Sequence, residues 1–225
     1  MWNKLKNFWK EDNLLDEAWK QSFQMLEICN EMFKEAMRVL RETKETDVNQ
    51  AIRKKDKKVN KYEREVRKKV LTHLAIQSPS GLAEGMALVS IVIDIERLGD
   101  YTKNIVDLAT YYPDTLKAGK FEEDLKKVES AIRKNFKQTI DCLETSNSEI
   151  AVNILNQYKW LNPLCDEVLR KLVLEEDKNI SAGNSAALAT YFRWLKRVNS
   201  HLRNIVTSVV NPFERIGFKP KKKKT

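Results

Sequence analysis

The sequence predicts an all-α protein built as two tandem three-helix bundles, and three observations support this fold class. The 225 residues contain only 6 Gly and 5 Pro, helix-forming residues dominate, and strand-like alternation of apolar and polar residues is scarce. Turn signals divide the chain into long helical stretches. The pattern of these stretches repeats after about 100 residues, which indicates a duplicated unit.

Six long helices are expected between the turn signals, in the order three helices, a linker, and three more. Their expected ranges are 13–43, 48–76, 82–111, 121–145, 149–175 and 185–210. Pro163 lies inside the fifth range and should kink or restart that helix, because proline has no N–H to donate to the helical ladder.

The internal repeat is visible in two pairs of helices. Arg97 and residues 104–106 reappear as Arg197 and residues 204–206, an offset of 100 residues. The second and fifth helices match at a similar offset. The sequence therefore predicts an N-terminal repeat, a linker, a C-terminal repeat and a basic tail, with the ranges 1–112, 113–120, 121–213 and 214–225.

Composition narrows the cellular setting. The longest apolar run, residues 87–93, is far shorter than the roughly 20 residues that a membrane-spanning helix needs. The 3 cysteines are odd in number and form no CxxC pair, which favours a reduced environment. We therefore expect a cytoplasmic protein, which could still act at the inner face of a membrane through a partner.

Two terminal segments have more than one interpretation. The net charge of +9 comes partly from the lysines of residues 219–224, which form either a solvated tail or a tether to anionic lipid or nucleic acid. The start MWNKLKNFWK places Trp2, Leu5, Phe8 and Trp9 among lysines. This segment is either an interfacial membrane anchor or a segment that folds back on the bundle or on a neighbouring subunit.

The third predicted helix carries two carboxylates, Glu96 and Asp100, one turn apart. At this spacing they repel each other by roughly 0.2–0.5 kcal/mol, which a purely structural helix would avoid. At 100° per residue, the apolar residues of this helix form one core stripe, and both acids lie with Asn104 on the opposite side. Packing against the core of the bundle therefore does not explain the pair.

The second predicted helix carries a matching polar group. The same calculation places Asp56, Asn60, Glu63 and Arg67 on one side. If the second and third helices are antiparallel neighbours, Asp56 and Asn60 reach the level of Asp100. An oxygen-rich cluster would result, of the kind that Mg²⁺, Mn²⁺, Ca²⁺ or iron binds. It comprises Asp56, Asn60, Glu96, Asp100 and Asn104. The alternative is an acidic surface neutralised by Arg97, Lys57 or Lys103.

These residues resemble a known family. Residues 96–101, ERLGDY, followed by Asn104-Ile105, resemble the E-R-I-G-D-x-x-x-N-I signature of the PhoU family, and residues 56–60 resemble its D-x-K-V-N segment. The resemblance implies two three-helix bundles, with paired acidic motifs that bind metal clusters in some members. It also implies a regulatory role, through contact with a phosphate ABC transporter and a phosphate-sensing histidine kinase, or in some relatives with a sodium–phosphate cotransporter.

The second repeat departs from this signature. Lys196 stands where Glu96 stands, and Ser200 stands where Asp100 stands. A lysine cannot ligate a cation and would repel it, so we predict at most one site for a divalent or iron cation, in the N-terminal repeat. The basic residues of the second repeat either contact an acidic partner or form a solvated face. They are Arg193, Lys196, Arg197 and Arg203.

The sequence does not predict an enzyme. Neither His73 nor His201 has the glutamate three residues earlier that di-iron sites need, and there is no glycine-rich phosphate loop. The alternative function is a helical adaptor, or a nucleic-acid or membrane-surface binder that uses the basic second repeat and the lysine tail. No helix-turn-helix or zinc signature is present, which argues against sequence-specific nucleic-acid binding.

One apolar group on the third helix predicts an interface. Val89, Val92 and Ile93 lie on its otherwise polar side, so another domain or a second subunit should cover them. A homodimer is therefore expected.

Overall fold

A computed structural model of the chain describes residues 14–43, 48–76 and 81–220, and these residues form helices and short connections. The seven α-helices are α1 (Leu14–Arg38), α2 (Val48–Ile76), α3 (Leu82–Tyr111), α4 (Glu122–Thr145), α5 (Ser148–Gln157), α6 (Leu161–Val173) and α7 (Ala182–Val210). A π-helical turn, Val39–Thr43, extends α1, and 3₁₀ turns occupy Gly119–Phe121 and Phe213–Arg215. The all-α prediction is confirmed: α5 and α6 together are the fifth predicted helix.

The break in the fifth helix follows from its sequence. Asn147 caps α5 by accepting the backbone N–H groups of Glu149 (2.9 Å) and Ile150 (3.2 Å). The chain turns after Gln157 and restarts as α6 two residues before Pro163. A proline in the first turn of a helix costs no hydrogen bond, because the first N–H groups have no intrahelical partner.

Helices α1, α2 and α3 form the first bundle. Their buried sides supply a continuous apolar core that includes Met25, Phe33, Val59, Ile91 and Leu98. Helices α2 and α3 run antiparallel across the turn before Leu82, where Gly81 adopts a left-handed φ of 97°. The predicted pairing of these two helices is therefore present.

Helices α4, α5, α6 and α7 form the second bundle, which has a polar chain of hydrogen bonds at its centre. The side-chain amide of Asn135 donates to Asn199 (3.0 Å), Asn199 donates to Asn162 (2.9 Å), and Asn162 donates to the hydroxyl of Ser200 (3.0 Å). Asn135 and Asn199 are completely buried, and this chain satisfies their polar groups.

The two bundles pack together mainly through α3 and α7, which run antiparallel. Nδ1 of His201 lies 2.6 Å from Oδ1 of Asp94, and the amide of Asn204 donates to the same oxygen at 3.1 Å. Tyr101 stacks on the ring of His201, with 5.7 Å between ring centroids, and accepts a hydrogen bond from Nε of Arg197 at 3.1 Å. We call these five residues the interdomain junction.

A second contact joins the bundles on the other side of the molecule. Arg41, in the turn that extends α1, pairs with Glu122 and lies 3.2 Å from Glu129. Burial opposes the charge of Arg41, but these two carboxylates outweigh burial and raise its pKa. The ring centroids of Phe33 and Phe136 lie 5.3 Å apart, so α1 and α4 also share apolar contacts.

The three apolar residues of α3 that were predicted to be covered by another domain or subunit differ in their exposure. Val92 is completely buried and Val89 is half-buried, whereas Ile93 is 37% exposed. Cover of Ile93 by a second subunit stays a prediction. Among the described helices, none is both long and apolar enough to cross a lipid bilayer. The predicted N-terminal segment, residues 1–10, lies outside the described residues.

Candidate functional site

Four carboxylates converge where α2 and α3 cross, and we call Asp56, Glu63, Glu96 and Asp100 the acidic seam. Asp56 is only 7% exposed, although it is a charged residue. It packs beside Gly99 of α3, where a Cβ would lie 3.8 Å from Oδ1 of Asp56 and 3.7 Å from Val59, which are ordinary van der Waals distances. The carboxylate of Asp56 therefore lies directly against the ERLGD motif of α3.

Lys103 bridges the two helices at the centre of the acidic seam. Its Nζ lies 3.0 Å from Oδ1 of Asp100 and 3.3 Å from Oδ2 of Asp56. Arg97 binds the other oxygen of Asp100 at 3.0 Å. Burial lowers the pKa of Lys103, but the hydrogen bond to Asp100 and the charge of Asp56 outweigh it, so the pKa is raised.

Glu96 has no comparable partner. Burial, followed by repulsion from Asp100, raises its pKa from 4.5 to about 7, and Arg97 offsets only part of this rise. Arg97 lies 3.7 Å from Glu96 but makes its hydrogen bond to Asp100. Glu63 pairs with Arg67 at 2.8 Å and also repels Glu96. The acidic seam therefore holds four carboxylates but only three cationic side chains. Glu96 is the carboxylate that lacks a close cationic partner of its own.

The thiol beneath the seam is inert. Cys29 is completely buried, and its Sγ lies 3.4 Å from the carbonyl oxygen of Ile95. Burial raises the pKa of Cys29, and the negative charges of Asp56 and Glu96 raise it further. Because only a thiolate is a nucleophile or a good metal ligand, this cysteine contributes packing to the site.

The structure brings together most of the predicted cluster. Asp56, Glu96 and Asp100 meet as expected, and the amide of Asn60 reaches Oδ2 of Asp56 at 3.5 Å. Among the described residues, Asn104 makes no hydrogen bond to the cluster. Glu63 belongs to the seam although the predicted cluster omits it; its place two turns after Asp56, on the same side of α2, was the signal.

The donor set does not form a ready metal cage. In the part of the chain that the structure describes, no group of three His, Cys, Asp or Glu side chains is placed to hold a metal ion. The Lys103 ammonium lies between Asp56 and Asp100, where a cation would be coordinated. Metal binding by the predicted residues stays a prediction, and any cation there competes with this lysine.

The corresponding place in the second repeat has lost its acids. Lys196 pairs with Asp166 of α6, at 2.6 Å, and Asn199 and Ser200 replace the glycine and aspartate of the motif. Tyr158 stands where Asp56 stands, and its hydroxyl donates to Gln138. One ion pair and neutral hydrogen bonds thus replace the four carboxylates of the acidic seam.

The basic residues proposed for partner binding lie in different settings. Arg197 contacts Tyr101 within the interdomain junction, and Arg203 donates to the carbonyl oxygen of Leu155 at 2.9 Å. Lys196 is held by Asp166, whereas Arg193 is exposed. The four residues do not form one free basic patch, because three of them have internal partners. Their role in partner binding stays a prediction.

Comparison with known proteins identifies the N-terminal half. Residues 23–109, which include the whole acidic seam, match the family model described as the PhoU domain. This part of the chain is similar to the PhoU domain. This confirms the family resemblance carried by residues 56–60 and 96–105.

Two curated relatives extend the similarity to 72% of the chain, over 166 residues. Each is named as a phosphate-specific transport system accessory protein PhoU homolog: the Pseudomonas putida protein is 25% identical and the Pseudomonas aeruginosa protein 24%. The match spans 64% of the length of the first relative and 68% of the second.

Two solved structures share the fold. The crystal structure of PhoU from Pseudomonas aeruginosa superposes with a TM-score of 0.78 at 21% identity and covers 88% of this chain and 95% of that chain. The phosphate transport system regulatory protein PhoU from Streptococcus pneumoniae gives a TM-score of 0.77 at 17% identity, covering 87% and 93%. At these identities, the superpositions establish the six-helix fold.

Glu96→Gln should stabilise the protein at alkaline pH. The folded state holds the Glu96 proton with a pKa of about 7 against an ordinary value of 4.5, so ionisation of Glu96 opposes folding. This penalty is absent at pH values below the ordinary pKa of 4.5 and grows as the pH rises. It is complete once the pH exceeds the folded-state pKa of about 7. We expect a gain of about 1 kcal/mol at pH 8, after allowance for solvent screening, and almost none near pH 4.5.

Urea unfolding of wild type and variant across this pH range measures the effect. Asp107→Asn is the matched control, because Asp107 lies on the same helix and pairs with Arg53. Equal stability of wild type and Glu96→Gln at both ends of the range would contradict the claim that ionisation of Glu96 opposes folding.

Proposed function

We propose that this chain is a non-enzymatic accessory protein of phosphate transport, which acts by contact with other proteins. The PhoU domain over residues 23–109 carries this proposal, together with two relatives named as phosphate-specific transport system accessory proteins. The partners we propose are a phosphate ABC transporter or a sodium–phosphate cotransporter, and a phosphate-sensing histidine kinase.

The chemistry of the reactive side chains supports a binding role. Burial raises the pKa of Cys142 and Cys165 to about 12, so both thiols stay protonated at neutral pH. His73 is 3% exposed and His201 is 8% exposed, and Nδ1 of His201 is engaged by Asp94. These groups pack inside the bundles and are inaccessible to a substrate, whereas the acidic seam lies at an accessible crossing of two helices.

The acidic seam supplies a means of regulation. Its imbalance makes the α2–α3 contact sensitive to any cation or basic side chain that approaches Glu96. A basic segment of a partner would neutralise Glu96 and be favoured by that charge. The second repeat offers neutral hydrogen bonds at the same place, so the two repeats present different surfaces.

Partner contact is tested by affinity capture of the full chain from phosphate-replete and phosphate-starved cells. We expect subunits of a phosphate transporter to be enriched, and the exposed Arg193 to contribute. Arg193→Glu should reduce their recovery several-fold, roughly the effect of reversing one interface charge. Lys134→Glu, at an exposed position of α4, is the matched control. Capture without any phosphate-transport protein under either condition would contradict the proposal.

We further propose that the acidic seam binds at most one divalent or iron cation, in competition with Lys103. Lys103→Gln removes a positive charge next to two carboxylates and should tighten Mn²⁺ binding about tenfold or more. Asp100→Asn should weaken binding, and Asp107→Asn should leave it unchanged.

Equilibrium dialysis with elemental analysis measures these affinities. Lack of Mn²⁺ and iron binding in both wild type and Lys103→Gln, under metal-replete conditions, would contradict the proposed site.

A further inference from the structure

We propose that one end of this molecule binds the surface of an anionic lipid bilayer. The surface comprises exposed apolar residues at the α2–α3 turn and in the C-terminal turn, and we call it the apolar end. Its residues are Leu71, Ile76, Leu82, Met86, Phe213 and Phe218. This inference goes beyond contact with a transporter and does not rest on it.

The first half of the apolar end lies on α2 and α3. Leu71 is 70% exposed, Ile76 73% and Leu82 51%, although large apolar side chains are normally buried in a folded domain. At 100° per residue, Leu82, Met86 and Ile93 lie within about 40° of one another, so they form one exposed ridge of α3. None of the three is needed to fill the core of the first bundle.

Leu71 lies on the side of α2 that faces this ridge. It follows Arg53 by 18 residues, which is five full helical turns, so both side chains leave α2 in the same direction. Arg53 reaches across to Asp107 of α3 with 2.5 Å between nitrogen and oxygen. Leu71 therefore flanks α3 near its start, where the exposed ridge begins.

The C-terminal turn supplies the other half. Because α7 runs antiparallel to α3, its last turn lies at the level of the first turns of α3, and residues Phe213–Arg215 contact that helix. The side-chain amide of Asn211 donates to the carbonyl oxygens of Arg215 (2.8 Å) and Phe218 (2.7 Å), which folds the segment back. Phe213 stays 37% exposed and Phe218 62% exposed.

Positive charge is concentrated beside these apolar residues. Arg215 lies over the ring of Phe218, 5.9 Å from its centroid, and Lys219 follows. The sequence then continues as Lys221–Lys224. Six basic side chains between residues 215 and 225, against no acidic one, are the composition that anionic lipid headgroups attract.

The other terminus starts from the same end of the bundle. Leu15, at the start of α1, lies 3.3 Å from the Cβ position of Gly81, the residue before Leu82. The thirteen residues before α1 include Trp2, Phe8 and Trp9 together with three lysines. Aromatic and basic residues in one short segment are typical of interfacial binding.

A lipid surface fits this combination better than nucleic acid does. Nucleic acid would attract the lysines but would gain nothing from the exposed apolar side chains of Leu71, Ile76 and Leu82. Stable attachment to a bilayer takes two signals, an apolar insertion and a polybasic segment. The apolar end supplies the first, and the basic sequence that begins with Arg215 and Lys219 supplies the second.

Vesicle flotation of the full-length protein tests the proposal. The vesicles are phosphatidylcholine alone or phosphatidylcholine with phosphatidylglycerol, at low and at physiological salt. We expect binding only when phosphatidylglycerol is present. The variant L82Q/M86Q and the variant K221Q/K222Q/K223Q/K224Q should each weaken binding about tenfold or more.

Two control variants make the same types of substitution at positions outside the proposed surface. V173Q/L174Q replaces apolar residues that are 73% and 58% exposed at the end of α6. K54Q/K57Q/K134Q/K137Q removes four exposed lysines of α2 and α4. Both should bind vesicles like wild type, and circular dichroism confirms that all four variants are folded.

Three results would overturn the proposal. The first is that wild type fails to float with phosphatidylglycerol vesicles at low salt. The second is that L82Q/M86Q binds as tightly as V173Q/L174Q. The third is that duplex DNA displaces the protein from vesicles and binds L82Q/M86Q and wild type equally, which would assign the surface to nucleic acid.

Discussion

The antiparallel packing of α3 on α7 is the constraint on which the rest of the structure depends. A single oxygen of the half-buried Asp94 accepts hydrogen bonds from Nδ1 of His201 and from Asn204. Tyr101 and His201, which are equivalent positions of the two repeats, stack on each other at its centre. The junction thus lies where a twofold axis would relate the repeats, and it joins two bundles into one body.

This packing decides which surfaces remain accessible. Helix α3 contacts α7 with one side and α2 with the other, so the acidic seam is left on the α2 side, away from the junction. The same antiparallel direction brings the last turn of α7 beside the first turns of α3. The apolar end is formed because this direction places the Phe213–Arg215 turn beside the start of α3.

The two repeats use one helical framework for different electrostatics. In the first, Asp56 packs beside Gly99 of α3, and four carboxylates face three cations. In the second, Asn199 replaces the glycine, and a chain of neutral amides fills the space. A buried neutral network costs little when every group has a partner, whereas unbalanced charge responds to ions, pH and partners. The N-terminal repeat is therefore the one whose stability and surface charge depend on ions, pH and partners.

Sequence periodicity predicted the framework of the site, and the sequence named Arg97 and Lys103 among the cations that could neutralise it, but it did not predict the bridge between α2 and α3. The 100° calculation placed Glu96 and Asp100 together, and counting back from the turn brought Asp56 to their level, because helix geometry is fixed by the backbone. The contact of Lys103 with Asp100, three residues earlier on α3, follows from helix spacing. Its reach to Asp56 of α2 depends on the rotamers of a long side chain, which no spacing rule fixes. Arg197 and Arg203 looked free for a partner, because sequence does not reveal an acceptor on a different helix.

A double-mutant cycle between Asp94 and His201 tests most directly the claim that the interdomain junction unites the repeats. Unfolding free energies of wild type, Asp94→Ala, His201→Ala and the double variant give the coupling between the two side chains. A buried charge-assisted hydrogen bond should give a coupling of about 1 kcal/mol or more. Additive effects, within roughly 0.3 kcal/mol, would contradict the junction.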